Sequence, residues 1–214
     1  MGGAEVTSDH PIVAVGRPHI GSQVTTYNGF SGGSRSANVP MLFKNAFGGS
    51  YDSALYIQDL NATTDASVTI DFYDSEGNLT CARLGETIPK LSSKGYWLPA
   101  ETCLPDGWVG NAVVDSSVDI AAVGRPHVGA EVTTYAGLAA GATTVQLPML
   151  FKNMWGSYDS AFYIQNPNPL ADFVEIRFYD VNGKLSCVWE ENIPPHATMG
   201  YWLPAMSCIP PWTV

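Results

Sequence analysis

Positive charge is scarce in this sequence: ten Lys and Arg stand against twenty Asp and Glu, giving a formal net charge of −10 and an isoelectric point near 4.6. A surface of that sign repels phosphates, so nucleic acid is excluded as a partner and anionic membrane is disfavoured. Charge of either sign is sparse, at 14% of residues. Even so, no uncharged apolar stretch nears the ~20 residues that cross a bilayer, and membrane insertion is not expected. The first residues, Met1-Gly2-Gly3-Ala4-Glu5, lack the basic and apolar regions of a signal peptide. The expectation is a leader already removed or a piece excised from a longer chain. Catalytic patterns are missing too, with no Gly-x-Ser-x-Gly elbow, phosphate loop, His-Glu-x-x-His helix or calcium loop. The chain is therefore expected not to be an enzyme and to carry no catalytic residue, cofactor or metal.

Cysteine is limited to Cys81, Cys103, Cys187 and Cys208. No C-x-x-C occurs, and no histidine stands at zinc-site spacing except His196, which has no counterpart earlier in the chain. One disulfide per half, Cys81 to Cys103 and Cys187 to Cys208, is the simple reading, and it implies an oxidising compartment. Free core thiols are the alternative.

What the sequence does have is apolar content, 45% of 214 residues, with 21 Gly and 15 Pro recurring between short apolar runs. That punctuation belongs to all-β domains, and helices have little support. It also has an internal repeat. Val15-Gly16-Arg17-Pro18-His19 recurs as Val123-Gly124-Arg125-Pro126-His127, and Pro40-Met41-Leu42-Phe43-Lys44-Asn45 as Pro148-Met149-Leu150-Phe151-Lys152-Asn153. Tyr96-Trp97-Leu98-Pro99-Ala100 recurs as Tyr201-Trp202-Leu203-Pro204-Ala205. The offset between copies falls from 108 to 105 as loops shorten.

Alternation of apolar and polar residues in Val68-Thr69-Ile70-Asp71-Phe72 and Val174-Glu175-Ile176-Arg177-Phe178 marks half-buried strands. Strands are expected at 41–45, 53–59, 67–74, 79–88, 94–98, 109–115, 120–125 and 131–136. The expected fold is all-β: antiparallel immunoglobulin-like β-sandwiches, as two tandem repeats out of phase with the chain ends. Small-residue stretches at Ser31–Ser36 and Ala139–Thr143 read as linkers. A complete sandwich then occupies 38–139. Residues 1–30 are terminal strands of a sandwich belonging to a neighbouring copy, and 146–214 form an incomplete sandwich awaiting strands.

The motifs Leu55-Tyr56-Ile57-Gln58, Thr69-Ile70-Asp71-Phe72-Tyr73-Asp74 and Gly110-Asn111-Ala112-Val113-Val114-Asp115 resemble tandem immunoglobulin-like repeats of large secreted bacterial surface proteins. The resemblance implies a passive extracellular or cell-surface module of stalks, sheaths or adhesive fibres. The out-of-phase arrangement is similar to donor-strand assembly in bacterial pilins. It implies other copies of the chain, joined head to tail, as partners. The assembly residues are then Ile12, Val13, Ala14, Val15, Val24 and Tyr27. A ten-residue span from Ser31 to Pro40 reaches at most about 35 Å, which disfavours closure of the chain on itself. The alternative is a monomer, either a carbohydrate-binding adhesin module or a closed fragment of a longer stalk.

Several residues carry a choice between ligand chemistry and architecture. Arg17, His19, Arg125 and His127 form a candidate ligand motif for a carboxylate or sugar. The favoured reading is instead that arginine pairs with an acid such as Asp52 or Asp159. Lys44 and Lys152 raise an isopeptide bond, but the tempting Asn28 is Ala136 in the second copy, so a strand-edge lysine is preferred. The tryptophans Trp97, Trp108, Trp155, Trp189, Trp202 and Trp212 offer faces for surface glycans; Trp97 and Trp202 are assigned rather to packing beside the disulfides. Asn61-Ala62-Thr63 and Asn78-Leu79-Thr80 are glycosylation sequons.

Overall fold

Runs rich in Val, Ile, Phe and Tyr, cut by Gly, Pro and Asn, fold here as antiparallel strands throughout. The computed structural model describes residues 2–210; Met1 and residues 211–214, Trp212 among them, lie outside it. Four two-residue strands open the chain: β1 (Val15–Gly16), β2 (His19–Ile20), β3 (Gln23–Val24) and β4 (Tyr27–Asn28). They form one hairpin, β1 pairing β4 and β2 pairing β3.

The next strands are β5 (Ser34–Lys44), β6 (Tyr51–Asp59), β7 (Ala66–Asp74), β8 (Leu79–Ile88) and β9 (Ser93–Trp97). A 21-residue strand β10 (Trp108–Val128) follows, then β11 (Glu131–Val132) and β12 (Tyr135–Ala136). β10 organises this half. Its first part lies between β5 and β7, with β8 beyond β7. From Ile120 onward it lies between β6 and the β11–β12 edge, with β9 beyond β6. Two antiparallel layers thus share one strand and face each other across a core of Val39, Leu42, Leu55, Ile57, Ile70 and Phe72, all fully enclosed. This is a β-sandwich.

Two expectations are corrected. The segments 109–115 and 120–125 are one continuous strand, because each part finds partners in a different layer. Ser34–Ser36 are not linker: β5 begins at Ser34, where the chain pairs with β10 at Asp115 and Ile120.

Four strands close the chain: β13 (Ala161–Gln165), β14 (Asp172–Tyr179), β15 (Leu185–Ile193) and β16 (Thr198–Trp202). β13 pairs β16 as β6 pairs β9, and β14 pairs β15 as β7 pairs β8. Among the described residues no strand joins these two pairs. Cys81 bonds Cys103 and Cys187 bonds Cys208, each with Cα atoms 5.7 Å apart. Two disulfides suit a non-cytoplasmic, oxidising compartment. No helix is long and apolar enough to cross a membrane among the described residues.

Candidate functional site

The site is an absence of a strand where the repeat calls for one. In the first half, Asn38–Lys44 is strand because β10 hydrogen-bonds along it. Gln146–Lys152 carries nearly the same sequence but is not strand, and Leu147 and Met149 stand exposed. A strand exists only as one member of a pair, and among the described residues none pairs with this segment. The same gap strips cover from the core. Ile57 and Ile70 are fully enclosed, whereas their counterparts Ile164 and Ile176 are only partly buried against Phe162, Phe178 and Tyr201. Leu42 is enclosed and its counterpart Leu150 is not.

The segment that matches the gap lies at the other end of the chain. At an offset of 108, Ile12, Ala14 and Val15 correspond to Ile120, Ala122 and Val123 of β10. Ile120 and Ala122 are buried in the first core, while Val13 is 100% exposed, Val15 65%, and Ile12, Ala14 and Val24 are exposed as well. The N-terminal hairpin repeats the pairing of the end of β10 with β11 and β12: Val15 faces Asn28 as Val123 faces Ala136, and His19 faces Val24 as His127 faces Val132. Tyr27 lies over Gly16 as Tyr135 lies over Gly124, and a Cβ at either glycine would come within 2.5 Å of the ring. The Tyr135 hydroxyl donates to Met41 O at 2.7 Å, tying β12 to β5. In place of such a neighbour the N-terminal hairpin rests against β11 and β12, with Thr25 Oγ1 and Thr134 Oγ1 2.8 Å apart.

The arginine–histidine motif has a defined seat in the first half. β10 sets Arg125 opposite Ala54, which is in turn opposite Trp97. With only a methyl between them, the guanidinium crosses the sheet to lie 5.9 Å from the Trp97 ring and 5.4 Å from that of Tyr56. His127 meets Trp97 edge-on at 5.8 Å. Burial, then the Arg125 charge, lowers the His127 pKa below the usual imidazole value, against a smaller opposing pull from Asp52. Arg125 Nε and His127 Nε2 are buried without a hydrogen-bond partner in the described chain. The expected Arg–Asp pair is therefore corrected. Asp52 and Asp159 instead accept the backbone N–H of Asn45 and Asn153, pinning a left-handed turn at each. Arg17 and His19 are exposed.

Trp97 and Trp202 do not pack beside the disulfides either; they are 41% and 52% exposed, and the buried aromatic of each pair is Tyr96 or Tyr201. Alternation along the strand puts one ring inward and its neighbour outward. The lysines are likewise corrected. Lys44 is buried, with Nζ 2.7 Å from the carbonyls of Glu101 and Leu104, and Lys152 Nζ donates to the carbonyls of Met206 and Ile209. They are internal clamps on the loop that ends in each disulfide. Both sequon asparagines are engaged: Asn61 Oδ1 accepts from Thr63 and Thr64, and Asn78 Nδ2 donates to Asp74.

Sequence reasoning missed the contact between the halves. Asn111, fully buried, donates to His196 O at 2.8 Å and accepts from Gln165 Nε2 at 2.7 Å, and the His196 ring stacks on Tyr73 at 4.7 Å. Beside it a cavity of about 750 Å³ opens between Met41, Phe43 and Tyr135 on one side and Ala161, Tyr163 and Trp202 on the other.

No protein-family model matches the chain, and no curated protein matches it. Among solved structures, the chain is similar to Thermotoga maritima 1070, with a TM-score of 0.42 and 17% identity over 50% of this chain and 96% of that one.

Proposed function

We propose that the chain is a structural protomer, without catalytic function, that assembles head to tail into an extracellular fibre or surface layer. The leading strands of one copy, residues 2–28, complete the sandwich begun by residues 146–210 of the next. Tandem immunoglobulin-like repeats of cell-surface proteins are the kinship this reading carries with it. Its chief support is the contrast between equivalent residues. Leu42, Ile57 and Ile70 are enclosed where β10 is present, and Leu150, Ile164 and Ile176 are left open where it is not. Enclosing a large aliphatic side chain contributes roughly 1.5–3 kcal/mol. A few such residues on each side give a substantial drive, and a head-to-tail contact that does not close propagates.

Deleting residues 1–30 removes the donor and leaves the acceptor. By sedimentation and electron microscopy, the intact chain is expected to form concentration-dependent filaments and the deletion variant to remain monomeric. Filaments that persist in the deletion variant, or an intact chain that stays monomeric at high concentration, would overturn the reading.

The exposure of Trp97 and Trp202 favours a second reading, a monomeric module that stacks surface glycans on these rings. Glycan binding by the intact chain, lost in W97A and W202A variants, distinguishes it.

A further inference from the structure

The cavity beside Trp202 and the exposed Arg17–His19 motif explain each other. Resting on the assembly reading above, we propose that residues 12–20 of one copy pair antiparallel with residues 158–166 of another, seating Arg17 over Tyr163 and Trp202 of that second copy.

The register comes from the first half. There Ala121 faces Gln58, Val123 faces Tyr56, Arg125 faces Ala54 and His127 faces Asp52. Carried through the repeat, Val13 faces Gln165, Val15 faces Tyr163, Arg17 faces Ala161 and His19 faces Asp159. Every residue of the seat is retained: Tyr56, Ala54, Trp97 and Asp52 recur as Tyr163, Ala161, Trp202 and Asp159. Ala161 already faces Trp202 across β13 and β16, as Ala54 faces Trp97. The small residue that lets the guanidinium cross is therefore in place, and Gly200 beside Tyr163 repeats Gly95 beside Tyr56. Ala161, Tyr163, Gly200 and Trp202 line the 750 Å³ cavity. The occupant is a second copy, because Arg17 and His19 are the residues with the same motif as Arg125 and His127, and both are exposed. In this seat a cation–aromatic contact fixes the strand register, which matching aliphatic residues alone leave free to slip by two.

The test has two arms, both using the full chain. In the first, V13C chains are mixed with Q165C chains, and with P167C chains, outside the seat, as a register control, and disulfide-linked dimers are read on a non-reducing gel. In the second, the assembly midpoint is measured for R17A and R17K. Because Arg17 is exposed, its replacement leaves the free chain folded. The expected result is cross-linking of V13C to Q165C in preference to P167C, with R17A raising the midpoint about three- to thirty-fold and R17K raising it less. Preferential cross-linking to P167C overturns the register. Cross-linking to Q165C with R17A assembling like the parent overturns the arginine seat while leaving head-to-tail assembly intact. No cross-linking in either mixture, with no filaments, overturns both.

Discussion

At the scale of single residues, the two lysines are the strongest structural commitments. A buried ammonium is tolerated only when its donors are used, and Lys44 uses them on Leu104 O and on Glu101 O, which also accepts the Leu104 N–H, with Asp106 3.8 Å away at the surface. Lys44→Met keeps the stem and removes the donors. It is expected to destabilise the first half by about 3 kcal/mol, seen as a lower thermal midpoint. An unchanged midpoint would mean that water satisfies Leu104 O, since Glu101 O keeps the Leu104 N–H. The sequence displayed each lysine in an apolar run, but the acceptors lie 57 and 60 residues away on a loop shaped by the Cys103 bond. Local pattern could not separate an edge lysine from an internal one. The Arg125 seat was hidden for the same reason: its partners, Tyr56 and Trp97, come from two other strands, and only the register reveals that a methyl lies between arginine and indole.

At the scale of elements, strands with strict alternation were legible, and β6 to β9 lie within two residues of their expected bounds. The long β10 and the unpaired Gln146–Lys152 were not, because both depend on which neighbours are present rather than on local sequence. β13–β16 and β14–β15 are separate two-stranded pairs joined by a small core and by Cys187–Cys208. Isolated hairpins are marginal in water. A cross-link closing a loop of 21 residues contributes about 3 kcal/mol by restricting the unfolded chain. In the first half, eight strands share that load. The double variant C187A/C208A is therefore expected to melt the second half selectively, with β14–β16 amides losing hydrogen-exchange protection while β6–β10 keep theirs. The matching C81A/C103A variant should lower the first transition without abolishing it.

At the scale of the whole molecule, the proposed assembly joins copies that each carry a net charge of −10. In that proposed assembly apolar matching has to overcome electrostatic repulsion, and repulsion between exposed charges fades as the screening length shrinks to about 10 Å at 0.1 M salt. Assembly is expected to strengthen as salt is raised, the opposite of an association built on charge pairing. The slot can also be addressed without polymerisation. A synthetic peptide of residues 2–28 carries the donor strand and its hairpin but no acceptor, so it can fill one slot and cannot extend the chain. Added in excess, it should shorten filaments in proportion to its concentration. In the capped species Leu150, Ile164 and Ile176 acquire the cover that Leu42, Ile57 and Ile70 already have. Hydrogen exchange across β13 and β14 should slow accordingly, and Gln146–Lys152 should gain protection as it becomes strand. A peptide that shortens filaments without protecting 146–152 would mean that it binds elsewhere. Protection of these amides in the intact chain at high dilution would mean that the donor fills its own slot, and the protomer would then be a closed monomer.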